Sequence, residues 1–193
     1  YSLTGGADQA SFSINAVTGA LSFSGAPDFE IPTDADTDNA YEVEITATDD
    51  GSGALTDVQT ITVTVTDVND APAITSDGGG STASVNAAEN QTAVSTVTST
   101  DADSDTVTYS ITGGADQAKF SIVSASGVLT FSSAPDFETP TDSGSNNTYV
   151  VEVTATDDGS GSLTDVQTIT VTVTDANDAP EITSDGGGAT AAV

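Results

Sequence analysis

The sequence predicts an all-β fold made of short strands. Residues 60–66 alternate threonine with isoleucine or valine, and residues 41–47 also alternate, with Tyr41, Val43, Ile45 and Ala47 predicted to face inward. A period of two is that of a strand with one buried face. No stretch keeps a helical period, and the abundance of threonine and valine favours strands. About seven short strands in roughly 100 residues are typical of an immunoglobulin-like β-sandwich.

Further short strands are predicted at residues 12–14, 21–23 and 107–111, where apolar side chains occupy alternate positions. Turn motifs such as Gly-Gly, Ala-Pro-Asp and Asp-Asp-Gly-Ser-Gly separate the strands. Tyr41 and Tyr149 stand at inward positions and are predicted to lie in the core.

The chain consists of tandem copies of one module with a period of 108 residues. Laying residue 1 on residue 109 aligns 85 positions without a gap, and 63 of them are identical. Such identity indicates a tandem array. Residues 1–70 are predicted to be a module without its first strands, 71–178 a complete module, and 179–193 the start of a third. We therefore expect a window from a longer array, in which the missing strands lie outside the sequence or come from another copy.

The composition excludes several classes of function. The chain carries 30 aspartate and glutamate residues, one lysine and no arginine, histidine or cysteine, which gives a formal net charge of −29. Nucleic acids and anionic membranes would be repelled by this charge. Histidine-based and cysteine-based nucleophiles, ordinary zinc sites and disulfides are excluded. No uninterrupted apolar run exceeds three residues, so we expect no segment that inserts into a membrane.

Some of the acidic residues are predicted to be solvated. Glu42, Glu44 and Glu152 alternate with inward apolar side chains and are expected on the exposed face of a sheet. Asp34, Asp36 and Asp38 lie in a turn-rich loop, and the last two are replaced by glycine and asparagine in the second copy. We expect all three to face water.

A second set of acidic motifs recurs in both copies. Asp-Phe-Glu stands at 28–30 and 136–138, Asp-Asp-Gly at 49–51 and 157–159, and Asp-x-Asn-Asp at 67–70 and 175–178. The complete module adds Glu89 and the run Asp-Ala-Asp-Ser-Asp at 101–105. In an extended Asp-x-Asp segment both carboxylates project to one side and can share an ion. Calcium takes about six to eight oxygen ligands of this kind.

Together these motifs resemble the cadherin repeat, over the whole chain. The corresponding segments are 88–90 for its Pro-Glu-Asn, 28–30 for its Asp-Arg-Glu, 67–70 for its linker, 101–103 for its Asp-x-Asp, and 47–49 for the aspartate late in the module. The threonine-rich strands and glycine-rich segments look more like the cadherin-like repeats of large bacterial surface or secreted adhesins than like animal cadherins. The resemblance implies Greek-key sandwiches in an extended rod, an extracellular location, and Ca²⁺ between successive modules.

The resemblance also implies the ligands. At the junction between the first two modules it assigns Asp28, Glu30, Asp67, the Val68 carbonyl, Asn69, Asp70, Asp101, Asp103 and Asp157. At the following junction it assigns Glu89, Asp136, Glu138, Asp175, the Ala176 carbonyl, Asn177 and Asp178. Asp49 would serve a junction before the first module. At least one ion per junction is expected, and the family pattern implies three.

The leading hypothesis is a non-enzymatic, calcium-rigidified spacer and adhesion array at a cell surface, whose partners are neighbouring repeats and other copies of itself. One alternative is carbohydrate recognition, for example of surface glycans, although the rings fall in inward register. Another is self-assembly into an extracellular filament by strand exchange. A two-carboxylate glycosidase is disfavoured, because a 108-residue sandwich offers little room for a substrate cleft.

Overall fold

The computed structural model describes residues 1–180, and the chain divides into two compact units, Tyr1–Asn69 and Asp70–Val193. The regular structure of the described residues consists of β-strands and three short 3-10 turns, at Gln9–Ser11, Ser76–Gly78 and Gln117–Lys119, without an α-helix. The predicted all-β fold is confirmed. Most of the predicted start of a third repeat, from residue 181, lies outside the described residues.

The first unit has five strands in two sheets. The strands are β1 Ser2–Gly5, β2 Phe12–Ile14, β3 Leu21–Phe23, β4 Ala40–Thr48 and β5 Thr56–Thr64. One sheet has the order β1-β4-β5, and β2 pairs with β3 as a hairpin. All pairs are antiparallel.

The second unit has nine strands. They are β6 Ala73–Ile74, β7 Thr82–Ala88, β8 Ala93–Thr96, β9 Ser99–Thr100, β10 Thr108–Gly113, β11 Phe120–Ile122, β12 Val128–Phe131, β13 Thr148–Thr156 and β14 Thr164–Thr174. The sheets have the orders β10-β13-β14-β7, β11-β12-β8 and β6-β9. The pairing of β14 with β7 is parallel, so both strands end at the same edge of the sheet.

Alternation along the strands builds the core of the second unit. Val151 and Val153 on β13, and Ile169 and Val171 on β14, are all completely buried. Their strand neighbours face the other side of the sheet, as a period of two requires. The counterparts of the four predicted inward positions are therefore buried in this unit. In the first unit Tyr41 and Val43 are buried as predicted, whereas Ile45 and Ala47 are only half-buried.

A cluster of three aromatic rings recurs in both cores. In the second unit the rings of Phe120 and Phe131 stack with their centroids 4.7 Å apart, and Tyr149 meets both edge-on. Both geometries are favourable for aromatic pairs. The first unit repeats the cluster with Phe12, Phe23 and Tyr41. The two tyrosines are 1% exposed, which confirms the prediction that they belong to the core.

The two units differ most along one strand edge. β14 is paired on both sides, by β13 and by β7, whereas β5 is paired with β4 alone among the described residues. Ile61 on β5 is accordingly half-buried, although its counterpart Ile169 is completely buried. The described part of the chain contains no helix with the length and apolar character needed to cross a membrane.

Candidate metal centre

Three carboxylates converge at one end of the second unit. Glu89, Glu138 and Asp178 each place an oxygen within 4.8 Å of the others. The parallel pairing of β7 and β14 explains this convergence, because Ala88 at the end of β7 lies opposite Thr174 at the end of β14. Glu89 directly follows β7, and residues 175–178 directly follow β14.

Glu89 is the fixed member of this set. It is only 3% exposed, its Oε1 accepts a hydrogen bond from the backbone N–H of Ala176 at 2.8 Å, and its Oε2 accepts one from Phe137 at 2.7 Å. These two bonds, that of Ala176 first, lower the pKa of Glu89 although burial opposes them. The side chain is therefore an ionised, oriented carboxylate that ties residue 137 to the segment after β14.

Glu138 is crowded by like charges. Its own backbone N–H lowers the pKa of Glu138, but burial and the negative charges of Glu89, Asp175 and Asp178 outweigh that effect, and the pKa is raised. The only lysine of the chain, Lys119, stands in another part of the sequence, before β11. Oxygen ligands gathered without a cationic side chain match the chemistry of a hard divalent cation.

The other residues at this end that were predicted as calcium ligands are held by hydrogen bonds to nearby groups. Asp136 accepts the backbone N–H of Thr139 at 2.9 Å, and Asp178 accepts the side-chain amide of Asn90 at 3.2 Å. Asn177 donates to the carbonyl of Asp178 at 3.3 Å. The structure thus brings Glu89, Glu138 and Asp178 together and places Asp175 near enough to perturb Glu138.

A second acidic cluster lies at the opposite end of the same unit, beside the start of β10. Asp101, Asp103 and Asp105 place oxygens within 4.8 Å of one another. Asp101 Oδ1 accepts the backbone N–H of Asp105 at 3.1 Å, and Asp103 Oδ2 accepts that of Asp70 at 2.7 Å. Asp101 Oδ2 is buried and has no hydrogen-bond partner. A buried carboxylate oxygen without a partner is unfavourable in water-free surroundings, and a bound cation would satisfy it.

Asp105 belongs to this cluster, although it was not among the predicted ligands. Burial raises its pKa most, followed by the charges of Asp101, Asp158, Asp103 and Asp157. The signal in the sequence was the spacing of residues 101, 103 and 105, which continues the Asp-x-Asp pattern by one step. Asp157 is 4% exposed and accepts backbone N–H groups from residues 159 and 163.

In the first unit, Glu30 and Asp67 place carboxylate oxygens within 4.8 Å of each other. Asp28 accepts the backbone N–H of Ile31 at 3.0 Å. Asp49 is exposed and accepts the N–H groups of residues 51 and 55. Val68 and Asp70 are exposed and Asn69 is half-buried. The grouping of residues from both units into one junction stays a prediction.

The prediction that Asp34 faces water was wrong. Asp34 is 4% exposed, and its carboxylate accepts the backbone N–H groups of Asp38 at 2.8 Å and of Asn39 at 3.3 Å. Burial alone would raise the pKa of Asp34, but these bonds hold it below its usual value. In the second unit, backbone hydrogen bonds likewise lower the pKa of the buried Asp142. Asp36 and Asp38 are exposed as predicted.

Two further buried carboxylates were missed from the sequence. Asp8 accepts backbone N–H groups of Ala35 and Glu42, both at 2.7 Å, and Asp116 accepts those of Ser143 at 2.6 Å and Val150 at 2.8 Å. Both are 5–6% exposed. They fasten the loop that leads from the Asp-Phe-Glu segment to the next strand. Their identity in both copies was the available signal.

Comparison with known proteins agrees with this architecture. Residues 81–174 match the family model of the cadherin domain. The chain is built of cadherin-like repeats. Cadherin domains characteristically bind Ca²⁺ between repeats, and the carboxylate sets described above have the donor chemistry that such an ion needs.

Similar curated proteins are very large. Mouse protocadherin Fat 2 is 34% identical over 188 residues, and human protocadherin Fat 1 is 32% identical over 182 residues. These matches cover 93% and 92% of the cadherin-like chain, which spans about 4% of the length of either relative. Both relatives are animal proteins, so the predicted membership of a bacterial adhesin stays a prediction.

Solved structures give the same result. A structure described as the protocadherin gammaB7 EC3-6 cis-dimer shares 28% identity, with a TM-score of 0.55, over 95% of this chain and 43% of that one. Mouse cadherin-23 EC22-24 shares 25% identity, with a TM-score of 0.55, over 91% and 52%. Drosophila N-cadherin EC1-4, at 19% identity and a TM-score of 0.59 over 84% and 39%, shares the fold.

Proposed function

We propose that the chain is an extracellular segment of an adhesion protein whose cadherin-like repeats bind Ca²⁺ through carboxylates at their ends. The observation that carries this proposal is the convergence of Glu89, Glu138 and Asp178. Three separate segments supply these residues, so an ion bound among them would add a direct link between the end of β7, the Asp-Phe-Glu segment and the residues after β14.

The ion would be held by this chain's own oxygens. Glu138 and Asp178 would contribute carboxylate oxygens, and Glu89 would contribute lone pairs beyond those used by its two backbone bonds. Asp136, Asp175 and the Ala176 carbonyl are the further donors that the family resemblance assigns. When bound, Ca²⁺ supplies the positive charge that offsets their mutual repulsion.

Calcium would also order the segment that follows β14. Glu89 accepts a bond from Ala176, and Asp178 accepts one from Asn90, so this segment already contacts the strand end. An ion shared by Glu89, Glu138 and Asp178 would join these segments more strongly than the two hydrogen bonds do. We infer that calcium stiffens the connection between successive repeats, which makes the array a spacer.

The partners that fit this function are neighbouring repeats and other copies of the same protein. The similarity to a protocadherin structure described as a cis-dimer supports the homotypic choice. Carbohydrate recognition gains no support from the core rings, because Phe131 and Tyr149 are buried and are not offered to a sugar. Strand exchange would depend on the edge of β5 that has no paired strand among residues 1–180. The cadherin match points to adhesion and not to a catalytic family.

Two experiments test the proposal. Small-angle X-ray scattering with calcium and with chelator should show a stiffer chain with calcium, and identical profiles would contradict the spacer function. Beads coated with the chain should aggregate with calcium and disperse with chelator. In a protein that includes the whole of the following repeat, Glu138→Gln should weaken both effects, whereas Glu152→Gln, on the outer side of β13, should leave them unchanged.

A further inference from the structure

Asn147 lies immediately before β13, at the meeting point of three parts of the second unit. Its side-chain amide donates to the carbonyl of Phe137 at 2.8 Å. Its backbone N–H donates to Asp142 Oδ1 at 2.9 Å, and its carbonyl accepts the N–H of Val173 at 2.9 Å. It therefore connects the Asp-Phe-Glu segment, the loop before β13, and the end of β14 that leads into residues 175–178.

The two peptide groups that flank Phe137 are each held by one hydrogen bond. The Phe137 N–H donates to Glu89 Oε2 at 2.7 Å, and its carbonyl accepts from Asn147. The peptide that accepts from Asn147 joins Phe137 to Glu138, and the peptide that donates to Glu89 joins Asp136 to Phe137. The orientations of these two groups set the directions in which the carboxylates of Asp136 and Glu138 leave the backbone. Asn147 thus acts on the acidic set through a group that is not a ligand.

The same arrangement exists in the first unit. Asn39 donates through its side chain to the carbonyl of Phe29 at 2.9 Å and through its backbone to Asp34 at 3.3 Å, and its carbonyl accepts from Val65 at 2.9 Å. Phe29 stands between the acidic residues of the first Asp-Phe-Glu. The arrangement therefore accompanies that motif in both units.

The surrounding loop has changed between the copies, but this residue has not. Positions 35–38 and 40 all differ from 143–146 and 148, whereas Asn39 and Asn147 are the same. Both asparagines have φ of 65°, a backbone conformation that glycine adopts without strain. Both also leave a buried Oδ1 without a hydrogen-bond partner. Backbone geometry alone would favour glycine here, so the side-chain amide has a separate task.

We propose that Asn147 is a positioning residue for calcium at this end of the second unit, and that Asn39 has the same role in the first. The inference rests on the proposed calcium function. Asn147 orients the Asp136-Phe137-Glu138 segment and so sets calcium affinity without contacting the ion. Residues that orient metal ligands from outside the coordination sphere typically change affinity by about 10–100-fold when they are replaced.

The test is a calcium titration of the 193-residue chain followed by NMR at single backbone amides. The N–H signals of Phe137 and Ala176 report the end set, because both groups donate to Glu89. The N–H signal of Asp105 reports the second cluster and serves as an internal reference. The variants are Asn147→Gly, which keeps the positive φ and removes the amide, and Asn147→Asp, which keeps the size and replaces the donor by an acceptor.

The control is Ser145→Gly in the same loop, at an exposed position that also has positive φ, 50°. In both Asn147 variants the midpoint at Phe137 and Ala176 should move to about tenfold higher calcium, and the midpoint at Asp105 should stay the same. Equal midpoints in Asn147→Gly and Ser145→Gly would overturn the positioning role. So would a loss that affects all three amides equally, because that is the result of general destabilisation. A wild-type chain that shows no calcium-dependent shift would instead overturn the proposed function.

Discussion

Replacing Asp116 with asparagine is expected to destabilise the second unit strongly. Asp116 is 5% exposed, and its two oxygens accept backbone N–H groups from Ser143 at 2.6 Å and from Val150 at 2.8 Å. These bonds join the turn before β11 to the loop before β13 and to β13 itself.

The magnitude follows from the number of bonds lost. Asparagine has one acceptor oxygen, so its amide group must face one of the two N–H donors. A hydrogen bond to a charged group is worth about 1.5–3 kcal/mol, and a buried donor without a partner costs about 1–3 kcal/mol. We expect a loss of about 3 kcal/mol, which corresponds to a melting temperature lower by roughly 10–20 °C for a domain of about 100 residues.

Differential scanning calorimetry in chelator measures this change without a contribution from calcium. Asp8→Asn, the counterpart in the first unit, helps to assign the two transitions. The control is Asp77→Asn, because Asp77 is exposed and accepts from the Ser95 hydroxyl. The control should stay within about 0.5 kcal/mol of wild type. Equal shifts in Asp116→Asn and Asp77→Asn would refute the reasoning.

Three further predictions concern charge and backbone geometry. Burial raises the pKa of Asp142, but the backbone N–H groups of Asn146, Asn147 and Gly144, and that of Asp142 itself, lower it by more. The stabilisation by Asp142 is therefore complete above the unfolded pKa near 3.8 and is lost as pH falls through the lower folded pKa. Urea unfolding between pH 2 and 7 should therefore show a gap between wild type and Asp142→Asn that closes only in acid, and a constant gap would contradict this. Gly114→Ala should lower the free energy of unfolding in urea by about 4 kcal/mol or more, because φ is +96° and a Cβ would lie 2.4 Å from a backbone oxygen of β13. The control Gly161→Ala, with φ of +94° and no backbone nearby, should lower it by about 1 kcal/mol. Glu138→Gln should raise the melting temperature in chelator at pH 7. The pKa of Glu138 is raised in the folded protein, so its ionisation opposes folding as pH rises above 4.5, and glutamine removes this effect. A lower melting temperature would contradict the repulsion.

The strands could be predicted because their sequence signal is local. Alternation along residues 41–47 and 60–66 corresponds to β4 and to most of β5, and the buried tyrosines stand at the predicted inward positions. The lower burial of Ile61 could not be read from its own strand, because it depends on whether a further strand pairs with β5.

The buried carboxylates could not be predicted in the same way. Asp34 lies in a run of small and polar residues that is typical of a solvated loop, yet its position is set by backbone N–H groups that only the folded loop gathers. The converging acidic set was easier to predict, because the resemblance to cadherin repeats implied that Glu89, Glu138 and Asp178 share one junction. The signal for Asn147 is that it is unchanged between the copies, whereas residues 143–146 and 148 on either side of it all differ.

Isothermal titration calorimetry of calcium into the 193-residue chain tests the central claim most directly. The carboxylates that converge at the end of the second unit should give a binding isotherm in the wild-type chain. Glu138→Gln should weaken binding at this set by about tenfold or more, since it removes a charged ligand. Glu152→Gln, whose carboxylate accepts the Thr112 hydroxyl at 3.2 Å, should bind as wild type does. A wild-type chain that binds no calcium, or a Glu138→Gln variant that binds equally well, would contradict the account.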